Sequence, residues 1–256
     1  QATADGVTVK VLLLTNQTNP TGKCLLRSEL EDAIQFAQET GVHLVSDEIY
    51  AQCVYGGSCD GSAKNDFLSV SQLCSERGIK LGDGIHVLYG FSKDFCMGGM
   101  RVSALYTEND RLKAGLSSLG YFCGVSSQTQ NTLAAVLEKH DQVNIFLKAS
   151  AKALGQQYEQ VVGHLNKLNI PFIPSEAAFF TCIDLRHLLT EPTWEAEAVL
   201  HQKVFDECRG LLTPGKDCHM PEPGFFRLCW AWHPHTQAID VFFERFGKAF
   251  AAQTST

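Results

Sequence analysis

Hydrophobic and polar positions along the chain fall into blocks whose period changes. Val9 to Thr15 is a short apolar run closed by the breaker cluster Asn16-Gln17-Thr18-Asn19-Pro20-Thr21-Gly22, the pattern of a buried strand entering a loop. From Ser28 the period becomes helical, with Leu30, Ala33, Ile34 and Ala37 on one face. Ser28 is placed to cap that helix, Glu31 to complete a capping box, and Gly41 to take the left-handed stop. His43-Leu44-Val45 predicts a second strand ending at Asp47. A loop containing Gly56, Gly57 and Gly61 then leads to a helix near Phe67–Arg77. His86–Tyr89 and Val102–Tyr106 predict a third and a fourth strand.

Residues 126–169 are mostly helical in pattern, as one bent helix or two consecutive ones, stopped by Pro171 and Pro174. Alternation then returns: a strand over Phe179–Leu185, a helix over Ala196–Cys208, a strand over Phe225–Cys229 and an amphipathic closing helix over Ala238–Ala252. Phe242, Phe243, Phe246 and Phe250 recur in that helix at the spacing of core residues. Strands alternating with helices predict an α/β fold with a mostly parallel sheet flanked by helices. We expect a partial large domain over residues 1–150 and a smaller C-terminal α+β domain over 151–256, joined inside the long helix. In parallel sheets ligands sit beyond the carboxyl ends of the strands. Asn19, Asp47 and Lys93 all follow predicted strand ends and are expected on one rim.

Composition narrows the function classes. With 45% apolar and 19% charged residues the chain is globular, not disordered. No apolar run approaches the roughly 18 residues of a membrane span. A net charge of −7 without a long basic run argues against a nucleic-acid partner. The ten cysteines are scattered and form no Cys-x-x-Cys pair, which suits reduced thiols in the cytoplasm. Cys229, His233 and His235 do not make a complete ligand set, so no metal is expected. Gly82-Asp83-Gly84 precedes a strand instead of following one and is no dinucleotide fingerprint.

Singly, Asp47 reads as a helix cap or a catalytic group, Lys93 as a solvated lysine, and Arg101 and Arg227 as ion-pair partners. Together, an acid, a lysine and an arginine on strand-end loops suit an anionic cofactor with a carbonyl and a ring nitrogen. Asn19-Pro20-Thr21-Gly22, Ser46-Asp47-Glu48-Ile49-Tyr50, Phe91-Ser92-Lys93-Asp94, Gly99-Met100-Arg101-Val102 and Phe226-Arg227-Leu228 occur in this order. That series resembles the fold-type-I pyridoxal-phosphate enzymes, the class I/II aminotransferase superfamily. Ser92-Lys93-Asp94 and Ile183-Asp184-Leu185-Arg186-His187-Leu188-Leu189 are most similar to its 1-aminocyclopropane-1-carboxylate synthase branch, including the vertebrate synthase-like members.

The resemblance implies pyridoxal 5'-phosphate as cofactor and an α-amino acid as substrate, by transaminase or lyase chemistry. It makes Lys93 the Schiff-base lysine and proton carrier, and Asp47 the carboxylate facing the pyridine nitrogen. It makes Asn19 and Tyr50 donors to the phenolic oxygen, and Ser92 and Arg101 the phosphate contacts. Arg227, with Asn19, would bind the substrate carboxylate. It also implies a homodimer. Gly90 stands where relatives often have serine, and Gln17 where plant-type enzymes usually have proline. Family members are longer, so a ring-stacking aromatic, a first phosphate loop and a tyrosine lent by a neighbouring subunit are expected ahead of Gln1. Residues 1–256 alone are therefore expected to bind cofactor poorly. The competing expectation is a catalytically silent homologue acting as an interaction protein.

Overall fold

The computed structural model describes residues 6–56, 66–231 and 235–251. Gly57, Gly61, His233 and Ala252, all named above, lie outside them, as does Cys59, one of the ten cysteines. The chain divides into two compact units. One comprises the described residues of 6–17, 24–54 and 66–150; the other takes in 18–23, 55–56 and the described residues from Ala151 on.

The first unit holds β1 (Val11–Thr15), α1 (Arg27–Thr40), β2 (His43–Asp47), α2 (Val70–Glu76) and β3 (Ile85–Gly90). It continues through the short turn α3 (Phe91–Asp94), β4 (Ser103–Tyr106), α4 (Asp110–Cys123) and α5 (Ser127–Leu137). Strand order is β1-β2-β3-β4, with the first three parallel and β4 antiparallel to β3. Period-two alternation turns Leu12, Leu14 and Leu44 to one face, where they pack with Leu30, Ile34, Val70 and Leu73. Val11 and Leu13 point the other way and are 52% and 59% exposed.

Two sequence expectations are corrected here. Helix α1 begins one residue before Ser28, with Leu26 at the cap position. Leucine offers no acceptor, so only the reciprocal half of a capping box forms, Leu26 N donating to Glu29 Oε2 at 2.7 Å. Gly41 does close the helix in the left-handed conformation, at φ 70°. Helix α4 was not expected from the pattern; it carries no buried residue and is capped by Asn109, whose Oδ1 accepts from Leu112 N at 2.9 Å.

The helical stretch resolves as α5 and a separate α6 (His140–Lys167), within which the division between units falls. The second unit adds β5 (Phe172–Ile173), β6 (Phe180–Asp184), α7 (Trp194–Cys208), β7 (Thr213–Pro214), β8 (Phe225–Cys229) and α8 (Gln237–Phe250). Its sheet, ordered β5-β6-β8-β7, is antiparallel throughout. Phe226 and Leu228 from β8, Val204 from α7, and Phe243, Phe246 and Phe250 from α8 share one core with Tyr158, Val161 and Leu165 of α6. Phe242, expected in that core, is only partly buried. The buried Glu197 of α7 ties two loops, accepting from Lys216 N at 3.1 Å and from Gly224 N at 2.6 Å.

Among the described residues no helix is long and apolar enough to cross a membrane. Nor do three His, Cys, Asp or Glu side chains among them group as a metal-ligand set.

Candidate active site

Each unit assembles its own part of the predicted constellation. In the first, Asp47 is the last residue of β2, paired with Thr15 on β1 and with Leu88 on β3. Its Oδ1 accepts from Ile49 N at 3.2 Å. Burial pushes its carboxyl above the usual carboxylate range, against the pull of that hydrogen bond. Glu48, next along, is 4% exposed and turns away to brace the loop. Its Oε1 accepts from Ser46 Oγ at 3.0 Å and from Val70 N at 2.9 Å, and burial is the main force raising its pKa. The chain then brings Tyr50 into the interior.

Lys93 lies on α3, the turn that follows the carboxyl end of β3. Its Nζ stands 5.9 Å from the centroid of the Tyr50 ring. Ser92 precedes it on the same turn. Arg101 follows a short 3-10 turn over Gly98–Met100; its backbone is left-handed at φ 55°, and its exposed guanidinium donates through Nη1 to Gly98 O at 3.1 Å. Asp47 thus ends β2, and Tyr50, Ser92, Lys93 and Arg101 lie on the segments that follow β2 and β3. Gly90 closes β3, where a Cβ would stand 3.1 Å from Ile49 Cδ1. Glycine there leaves Ile49 its room, a local reason for departing from serine.

In the second unit Asn19 and Arg227 meet, although 208 positions separate them. Arg227 Nη1 donates to Asn19 Oδ1 at 3.0 Å and Nη2 to Thr213 Oγ1 at 3.1 Å, with the guanidinium carbon 5.3 Å from the Phe180 ring centroid. Arg227 Nε is buried without a hydrogen-bond partner. An orphaned guanidinium N–H in a fork held by two neutral oxygens is a fitting receptor for a carboxylate.

Asn19 sits on the Asn-Pro-Thr-Gly turn, which is fastened within the same unit. Gly22 O accepts from Glu176 N at 2.9 Å and from Ala177 N at 3.0 Å, and Ser175 Oγ donates to Thr21 O at 2.8 Å. Gly22 has φ +65°, and a Cβ on it would fall 2.6 Å from Ala177 O. Both its conformation and its close approach require glycine.

Sequence reasoning missed Asp94, Glu48 and Thr213 as contributors. Asp94 stood beside Lys93 in a quoted motif, but a Ser-Lys-Asp turn reads as solvated. Thr213 belongs to a strand of two residues, too short for any periodicity to report.

A parallel sheet with polar side chains collected on the loops after its strands, followed by a helix-backed antiparallel sheet, defines an α/β protein with the architecture of the aminotransferases. The class I and II aminotransferase family model matches residues 1–246, and the chain belongs to that family. It is 34% identical over 249 residues to a 1-aminocyclopropane-1-carboxylate synthase of Malus domestica, covering 96% of this chain and 51% of that protein. A 1-aminocyclopropane-1-carboxylate synthase of Glycine max is 36% identical over 233 residues, covering 90% and 47%. A Thermus thermophilus aspartate aminotransferase double mutant superposes with a TM-score of 0.79 at 20% identity, over 96% of this chain and 59% of that one. An aromatic aminotransferase from Pyrococcus horikoshii gives 0.80 at 19%, over 98% and 62%. The family and fold expected from the five motifs are borne out. The chain spans about half the length of the curated relatives it matches.

Proposed function

We propose that this protein is a pyridoxal-phosphate-dependent enzyme of the 1-aminocyclopropane-1-carboxylate synthase-like branch, acting on an α-amino acid by transaminase or lyase chemistry. The observation that carries the reading is Lys93 Nζ 5.9 Å over the Tyr50 ring, on loops that follow β2 and β3. The donor set fits the cofactor. A carboxylate whose ionisation is opposed by burial, as at Asp47, gains from an opposite charge such as a protonated ring nitrogen. The Arg227 fork with its orphaned Nε fits an amino acid's α-carboxylate.

When bound, pyridoxal phosphate supplies an electron sink for charge developing at the substrate α-carbon. The chain's own groups orient and protonate. Lys93 would hold the cofactor through Nζ, and the same atom would carry a proton to or from the substrate. Asp47 would keep the ring nitrogen protonated, Tyr50 and Asn19 would donate to the phenolic oxygen, and Ser92 and Arg101 would hold the phosphate. Arg227, steadied by Asn19 and Thr213, fixes the substrate carboxylate. We place the protein in the cytoplasm as a homodimer, a compartment in which its ten scattered cysteines would stay reduced.

A panel of α-amino acids, supplied with pyridoxal phosphate to the full-length protein and followed by mass spectrometry, tests the reading. Keto-acid products mark amino transfer, and a cyclopropane amino acid marks the synthase reaction. With Gln17 and Gly90 replacing the residues common in relatives, transfer or elimination is expected ahead of ring closure. Lys93→Ala should abolish every product. Turnover that survives Lys93→Ala, or no turnover and no cofactor-dependent absorbance at all, refutes it.

A further inference from the structure

Three hydrogen-bond donors from two separate segments of the first unit converge on one buried carboxylate, that of Asp94. Tyr89 Oη donates to Oδ2 at 2.8 Å, Gln52 N to Oδ2 at 3.0 Å, and Cys53 Sγ to Oδ1 at 3.0 Å. Asp94 is 1% exposed. A charged residue is removed from water this completely only where its partners compensate. Burial raises the carboxyl's pKa, and these donors pull against that rise.

The placement of the donors matters more than their number. Gln52 and Cys53 come directly after the Tyr50 turn, and Tyr89 lies on β3 just ahead of α3. Helix α3 has only four residues, far too few to persist unaided. Successive residues on a helical turn point about 100° apart. Burying Asp94 therefore sets the direction in which Lys93 leaves the same turn.

We propose that Asp94 is the positioning residue for Lys93: its carboxylate clamps the turn bearing the lysine to the loop bearing Tyr50 and so fixes the amine beside the Tyr50 ring. This rests on the reading of Lys93 as the cofactor lysine. Asp94 itself touches neither substrate nor cofactor. Tyr89 and Cys53 act with it, and the hydroxyl of Tyr89 is the member that can be deleted with least disturbance of the fold.

The test reads Lys93 directly. Reductive methylation with formaldehyde and cyanoborohydride, resolved by peptide mass spectrometry, gives each lysine's rate against pH, with exposed Lys113 and Lys152 as standards. Trapping with pyridoxal phosphate and borohydride runs in parallel, on wild type, Asp94→Asn and Tyr89→Phe. In both variants the Lys93 rate–pH curve should change, while those of Lys113 and Lys152 stay put. Trapping at Lys93 should fall by about tenfold or more, the scale of a misplaced reacting group. Should Asp94→Asn fail to fold by circular dichroism, Tyr89→Phe decides alone. Lys93-selective trapping in wild type with unmoved profiles in the folded variants overturns the positioning role and leaves the cofactor reading standing. A wild-type Lys93 that traps no more than Lys113 overturns both.

Discussion

Side chains of β1 to β3 in the first unit pack against α1 and α2 on one face, while Val11 and Leu13 on the other are more than half exposed and α4 buries nothing. In the second unit α6, α7 and α8 close on a sheet whose central strand β6 is buried over Phe180–Ile183. The units hold their loops alike, through buried carboxylates: Glu48 and Asp94 in one, Glu197 in the other. They differ in how much of their own apolar surface they bury. The second unit covers both the helices and the sheet of its core, whereas the first leaves Val11 and Leu13 exposed on the uncovered face of the strands that lead to its candidate site.

The largest expected effect sharpens that contrast. Phe246 is 1% exposed between Phe242 and Phe250, and Phe246→Ala should destabilise the second unit by about 3–5 kcal/mol. In the first unit Leu44→Ala, from the covered face, should cost about 2–5 kcal/mol, whereas Leu13→Ser, from the exposed face, should cost almost nothing. Urea melts of the three variants check this. Equal losses for Leu44→Ala and Leu13→Ser would show that both faces of the first sheet are covered and end the comparison.

These faces also mark what could be read from the chain. The 3.6-residue spacing of Leu30, Ile34 and Ala37 is imposed by one-sided burial and was visible in the sequence. The apolar run Val9–Thr15 located β1, but as a strand with Val11 and Leu13 more than half exposed and not the buried strand expected. Helix α4 has no buried face to impose a period and contains Gly115 and Gly120, each of which weakens a helix interior. Its pattern was therefore silent. The fourth strand was visible, but its antiparallel pairing depends on a short connection through Gly98–Met100 that periodicity does not describe. At the candidate site, residue types were legible and partnerships were not. Nothing local to Asn19 reports that Arg227, 208 positions away, donates to it. Nothing in a Ser-Lys-Asp turn reports that the aspartate is buried under three donors.

A smaller effect probes how rigidly the second unit holds its share of the site. Gly22 combines a left-handed φ with a backbone carbonyl where a Cβ would go. Gly22→Ala should cost on the order of 1–2 kcal/mol for the backbone conformation alone, before the turn shifts away from Ala177. Because Asn19 rides on that turn, the variant should also loosen the Asn19–Arg227 bond. A carboxylate ligand such as maleate should then bind more weakly, read by titration calorimetry. Unchanged binding would separate the turn from the site.

The smallest effect uses acid to distinguish the units. His43 and His86 stack at 5.2 Å on neighbouring strands of the first unit, with Nδ1 of His43 2.9 Å from Nε2 of His86. His86 Nδ1 pairs with Thr107 Oγ1 at 2.8 Å, so both ring nitrogens are engaged. Burial, with His43 as a like-charged neighbour, holds the pKa of His86 below its ordinary value of 6.5; Asp83 opposes this weakly. The folded state then binds fewer protons than the unfolded one between those two values. Stability is complete above pH ~6.5 and falls as acid carries the protein through the lower, folded-state pKa. Replacing His86 by glutamine, which keeps donor and acceptor capacity without titrating there, should flatten the dependence. Hydrogen exchange should show β2 and β3 losing protection on acidification before β6 and β8 do. If wild type and His86→Gln lose stability along the same slope, or if the second unit opens first, this pair does not set the acid limit of the first unit.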